Sequence, residues 1–65
     1  MTSAPFPPPS IGKPATRALA NAGIGSLAAL SRKREAEVLA LHGMGPRGIR
    51  ILREALAAAG LDFAT

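Results

Sequence analysis

From Lys13 onward the apolar side chains recur at helical spacing, and no stretch alternates apolar and polar residues as a strand does. Pro14 suits a first turn, where its missing N–H would have no partner, so a first helix is expected over Pro14–Ala22, ended by Gly23. Ser26 is placed to cap a short second helix through Leu27-Ala28-Ala29-Leu30, in which Leu27 and Leu30 share one face. Ser31 is placed to cap a third helix that runs through Glu35 to Leu41. Arg32-Lys33-Arg34 puts positive charge at the wrong end of that helix's dipole, which leaves its start open by about a turn.

His42-Gly43-Met44-Gly45 then interrupts the pattern with two glycines one residue apart, and Pro46 restarts it at once. A tight hairpin into a last helix, Pro46–Ala59, is expected. Ile49, Leu52, Leu56 and Ala59 form its apolar stripe, with Arg47, Arg50, Arg53 and Glu54 mainly away from it. Gly60 closes the helix, and Leu61 and Phe63 are expected to fold back as a hydrophobic cap. The expected core is Leu19, Ile24, Leu27, Leu30, Val38, Leu39, Leu41, Met44, Ile49, Leu52, Leu56, Leu61 and Phe63, with many alanines letting the helices approach closely.

Ahead of this pattern, Pro5, Pro7, Pro8 and Pro9 rule out the apolar centre of a secretory signal and favour an extended, polyproline-like arm. The organisation expected is a flexible Pro-rich arm, residues 1–10, and a single all-α domain of four to five helices, residues 11–65. At 65 residues the chain has room for one fold and one working surface. No apolar run is long enough to span a bilayer. The absence of cysteine removes disulfides, thiolate metal sites and thiol nucleophiles, and a cytoplasmic location is the natural expectation.

Charge narrows the choice of partner. Eight Lys and Arg against four Asp and Glu give a net charge of +4. The pI near 11.3 favours a polyanion such as nucleic acid. The chain has no Trp or Tyr, and only Phe6 and Phe63, so it lacks the stacking platforms of single-strand binders, and a duplex backbone is the more economical target.

The hairpin is where a phosphate fits best. Glycines at 43 and 45 let another backbone come close, and the unpaired N–H groups at the start of the following helix lie at the positive end of its dipole. Arg47 in the first turn and Arg50 a turn later can reach flanking phosphates. Gly48 inside a helix costs about 0.5 to 1 kcal/mol relative to alanine unless something must approach there, either DNA or a facing helix. A weak internal echo sets Ile11-Gly12-Lys13-Pro14, followed by Arg17 and Leu19, beside Met44-Gly45-Pro46-Arg47, followed by Arg50 and Leu52.

Leu39-Ala40-Leu41-His42-Gly43-Met44-Gly45-Pro46-Arg47 resembles the helix-hairpin-helix signature. Over a wider span, Pro14 to about Leu61 is similar to the C-terminal domain of the bacterial RNA polymerase alpha subunit, notably at Ala22-Gly23-Ile24, Leu27 through Leu30, Gly45 and Ala59-Gly60-Leu61. The resemblance implies a SAM-like, tandem helix-hairpin-helix fold that contacts the minor-groove side of duplex DNA, with Gly45, Arg47 and Gly48 at the contact. Two positions depart from that family: its principal minor-groove arginine aligns with Pro14, and an asparagine one turn later aligns with Arg17. Lys13 and Arg17 supply charge there instead. In a chain of this length the resemblance implies the detached DNA-binding part, without the polymerase-assembly domain.

Plainer readings stand beside these. Gly43 and Gly45 also suit a bare helix-helix turn. His42, the one histidine, has no partner in sequence for metal or acid-base chemistry and is expected to line the hairpin, where it caps a helix end or touches phosphate. Arg32-Lys33-Arg34 suits a solvated face or a secondary phosphate contact, and the scattered carboxylates suit surface ion pairs. The expected function is non-enzymatic duplex DNA binding of low sequence specificity, through Gly43, Met44, Gly45, Arg47, Gly48, Arg50, Lys13, Arg17 and His42. No cofactor, metal, membrane or small-molecule substrate is expected. The alternative is a helical protein-interaction module, with a protein partner or a second copy of the chain.

Overall fold

Two glycines open the two long helices. In the computed structural model, which describes residues 6–65, Gly12 is the N-cap of α1 (Lys13–Asn21) and Gly45 the N-cap of α4 (Pro46–Ala58), each with proline in the first turn. Both helices also stop alike. The amide of Ile24 reaches back to the Leu19 carbonyl at 2.9 Å, and that of Leu61 to Leu56 at 2.8 Å, across Gly23 and Gly60 in the left-handed region. Between them lie two five-residue helices, α2 (Leu27–Ser31) and α3 (Glu35–Leu39). The described residues thus form an all-α unit, a 3-10 turn at Pro9–Ile11 and four helices with no strand, measuring 33 × 26 × 20 Å.

The short helices carry caps of their own. Ser26 accepts from the Ala29 amide at 3.1 Å at the start of α2, as its sequence position implies. Loss of that cap in Ser26→Ala should cost about 1 kcal/mol, read as a lower denaturation midpoint. Ser31 does not cap α3. It is the last residue of α2, and its hydroxyl donates to the Ala28 carbonyl at 2.7 Å. The N-cap of α3 is Arg34, whose amide donates to the Glu37 carboxylate at 2.9 Å. A carboxylate thereby satisfies the N-terminus that the basic run left unfavourable.

Leu19, Leu30, Val38, Leu52 and Leu56 are fully buried, surrounded by Ala15, Ala18, Ile24, Met44, Ile49 and Phe63. Leu27 and Leu41 pack against this core half-buried, as do Phe6 and Ile11. Two expected core residues face outward: Leu39 is 44% exposed and Leu61 39%. Helix α3 ends at Leu39, and one residue step of about 100° separates Leu39 from the buried Val38. The chain then tightens, with the Leu41 amide on the Val38 carbonyl, which returns Leu41 to the core while Leu39 stays outside. At the other end only Phe63 closes over the core. Its amide is held by the Asp62 carboxylate, and the next amide, of Ala64, bonds to the Lys33 carbonyl at 2.9 Å. Ala59, past the end of α4, is exposed too.

Of the expected arm, residues 1–5 lie outside the described residues. Phe6, Pro7 and Pro8 are half-buried, and the Pro9–Ile11 turn packs against α4. No helix among the described residues is long and apolar enough to cross a membrane.

Candidate nucleic-acid interface

The internal echo in the sequence acquires a geometry. A shift of 33 positions relates Gly12 to Gly45, Ala15 to Gly48, Arg17 to Arg50 and Leu19 to Leu52. In each of these pairs the two residues play the same part: N-cap, small buried residue, exposed cation and core leucine. The two small residues meet. A methyl placed on Gly48 would stand 3.6 Å from the Ala15 side chain and 2.9 Å from the Met44 sulfur. Of the two approaches the sequence leaves open at Gly48, the facing helix is therefore the one present, and α1 and α4 are brought together near their N-termini.

The hairpin joins the same junction. Gly43 has φ +93°, and a side chain there would sit 2.9 Å from the Pro14 carbonyl oxygen, so its bare Cα lets the hairpin lie on the first turn of α1. Gly45 differs: its φ is −107°, and a methyl there meets nothing within 4 Å. Gly43 is used for packing, and Gly45 leaves open space in front of the α4 N-terminus. Met44 and Gly48 are buried beneath them, while His42, Arg47, Arg50, Lys13 and Arg17 are exposed.

Among the described residues, the amides of Arg47 and Gly48 in α4, and of Lys13 and Ala15 in α1, have no hydrogen-bond acceptor. The α2 and α3 N-termini are satisfied by Ser26 and Glu37, but neither long helix has a side-chain cap or an acidic residue in its first turn. No carboxylate occurs from Phe6 to Arg34 or from Val38 to Arg53, the segments that build this end of the molecule. The positive ends of two helix dipoles thus lie close together, with cations around them and no internal counter-charge.

Elsewhere the charges are occupied or dispersed. Arg53 pairs with Glu35 across α4 and α3, and the hydrogen bond to that carboxylate, then its charge, raises the guanidinium pKa above its ordinary value. Arg32, Lys33 and Arg34 are exposed on the α2–α3 connection. No group of three His, Cys, Asp or Glu among the described residues is arranged to hold a metal ion.

One feature of this end escapes sequence reasoning. Pro14, Arg17, Ala18 and Asn21, at i, i+3, i+4 and i+7, form one wall of a cleft of about 280 Å³ whose other wall is His42-Gly43. The helical spacing of the α1 residues is legible in the sequence, but nothing local tells that the hairpin comes to lie opposite them.

No protein-family model, curated protein or solved structure matches this chain.

Proposed function

We propose that the domain is a tandem helix-hairpin-helix module, of the kind the RNA polymerase alpha C-terminal domain represents, that holds duplex DNA by its phosphates with little regard to sequence. The observation that carries this reading is the pair of uncapped helix N-termini, Gly12-Lys13 and Gly45-Pro46, adjoining each other with no carboxylate among them. Free amides at a helix start and the dipole behind them favour an anion. Arg47 and Arg50 on one helix, with Lys13 and Arg17 on the other, extend the contact to neighbouring phosphates. The longest dimension, 33 Å, is close to one turn of duplex, which limits the contact to a few phosphates.

The test is an NMR titration of the labelled protein with a short mixed-sequence duplex at low and moderate salt. Salt-sensitive shifts should centre on the amides of Gly43, Gly45, Arg47 and Gly48; no shift at low salt overturns the reading in favour of a protein partner. With three to five phosphates neutralised, log affinity against log salt should fall with a slope of about −3 to −4.5. Arg47→Ala and Arg50→Ala should each flatten that slope by about 0.9 and weaken binding several-fold, equally for unrelated sequences.

A further inference from the structure

The cleft between α1 and the hairpin suits a more particular anion than a continuous phosphate backbone. Its lining carries N–H donors on both walls, Arg17 and Asn21 on α1 and His42 on the hairpin, and no carboxylate. Pro14 and the buried Ala18 give it an apolar side. The close seating of Gly43 on the Pro14 carbonyl holds the two walls together, so residues that carry donors line a cleft of about 280 Å³ from both sides.

An internal phosphodiester has two of its four oxygens esterified and continues as chain on both sides. It offers two free oxygens and is best met by donors from one direction, as at the open N-terminus of α4. A terminal phosphomonoester has three free oxygens, a charge of about −1.5 to −2 at neutral pH, and a chain leaving on one side only. Planar Arg17 can take two of those oxygens as a fork, which leaves the third for His42 or Asn21. The Pro14 and Ala18 side then adjoins the last sugar.

We propose that this cleft receives the terminal phosphate of a nucleic-acid strand, so that the domain favours duplex ends carrying a phosphate over continuous duplex. The inference rests on the duplex-binding reading and adds a substrate class to it. It makes Arg17, His42 and Asn21 residues that select the end, while Gly45, Arg47 and Arg50 hold the backbone beside it.

The experiment uses the full chain and three DNA stems of one sequence, each closed by a loop at one end. The open end carries a 5′-phosphate, a 3′-phosphate or hydroxyls alone, and affinities are read by fluorescence anisotropy at fixed salt. One phosphorylated stem should bind about five- to tenfold more tightly than the hydroxyl stem, with amide shifts at Arg17, Asn21 and His42 specific to it. The Asn21 side chain makes no hydrogen bond to the described residues, so Asn21→Ala should lower that ratio toward one in a protein that melts as the wild type does. Equal affinity for all three stems, with the hairpin amides still shifting, overturns the end preference and leaves backbone binding standing. Failure of every stem to bind overturns both readings. A parallel titration with deoxyadenosine monophosphate separates a strand end from a free nucleotide. Binding of the mononucleotide as tight as that of the phosphorylated stem overturns the strand-end assignment, and binding at least tenfold weaker supports it.

Discussion

Gly43→Ala should lower the stability of the domain by about 2 to 4 kcal/mol, whereas Gly45→Ala two positions later should cost no more than about 1 kcal/mol. At φ +93° a side chain brings strain of about 1 to 2 kcal/mol on its own. The added methyl would stand 2.9 Å from the Pro14 carbonyl oxygen, a backbone atom that can retreat only by shifting α1. At Gly45 the backbone is extended and the space open, so the only cost is the ordinary preference of an N-cap for glycine over alanine. In a domain of this size the first change should lower the melting temperature by roughly 10 to 25 °C and the second by a few degrees, as circular dichroism melts would show. A Gly43→Ala protein as stable as the wild type would refute the seating of the hairpin on α1. Because Gly45→Ala keeps the fold, it also probes the proposed function: a methyl in front of the α4 N-terminus should weaken duplex binding about fivefold or more.

The second large effect is expected at Leu52. Its side chain is fully buried on the inner face of α4, so Leu52→Ala should remove about 3 to 5 kcal/mol through lost burial and the cavity left behind. Small domains seldom hold much more than that, and the variant should be largely unfolded at room temperature by denaturant titration and amide dispersion. Leu39→Ala is the informative counterpart, because the apolar pattern ranks Leu39 with Leu52. At 44% exposure Leu39 has much less burial to lose, and its truncation should cost less than about 1 kcal/mol. Comparable losses at the two sites would mean that α3 presents a different face to the core.

The contrast between the two glycines also bears on binding. The sequence marks Gly43 and Gly45 as a pair and allows either a bare turn or a phosphate cradle. In three dimensions the two uses are divided: Gly43 meets the turn's packing requirement, and Gly45 faces open space at a helix start. Gly48 likewise serves the contact between α1 and α4, so its place in the resemblance to a DNA contact is met here by a residue whose missing side chain points at Met44 and Ala15. Of the expected site residues, the cations Lys13, Arg17, Arg47 and Arg50 and the His42 side chain are exposed, and Met44 and Gly48 are buried beneath them.

What the sequence alone determined is what a few neighbouring residues decide among themselves. Helix starts at Gly12-Lys13-Pro14, Ser26 and Gly45-Pro46, and stops at Gly23 and Gly60, follow from hydrogen bonds spanning at most five positions, and each lies within about a residue of where those local signals put it. The start of α3 departs from this: Ser31 is the better cap by residue type, yet its hydroxyl donates to the Ala28 carbonyl within α2, and the α3 N-terminus is closed by the Glu37 carboxylate on the Arg34 amide. Only the tertiary structure decided which side of a short helix is inside, what faces Gly48 and Gly43, and that Arg17 and Asn21 share a cleft with His42. A periodicity of 3.6 residues fixes which side chains of one helix stand together. The neighbour they meet depends on the placement of every helix at once, and that is set by packing the whole core.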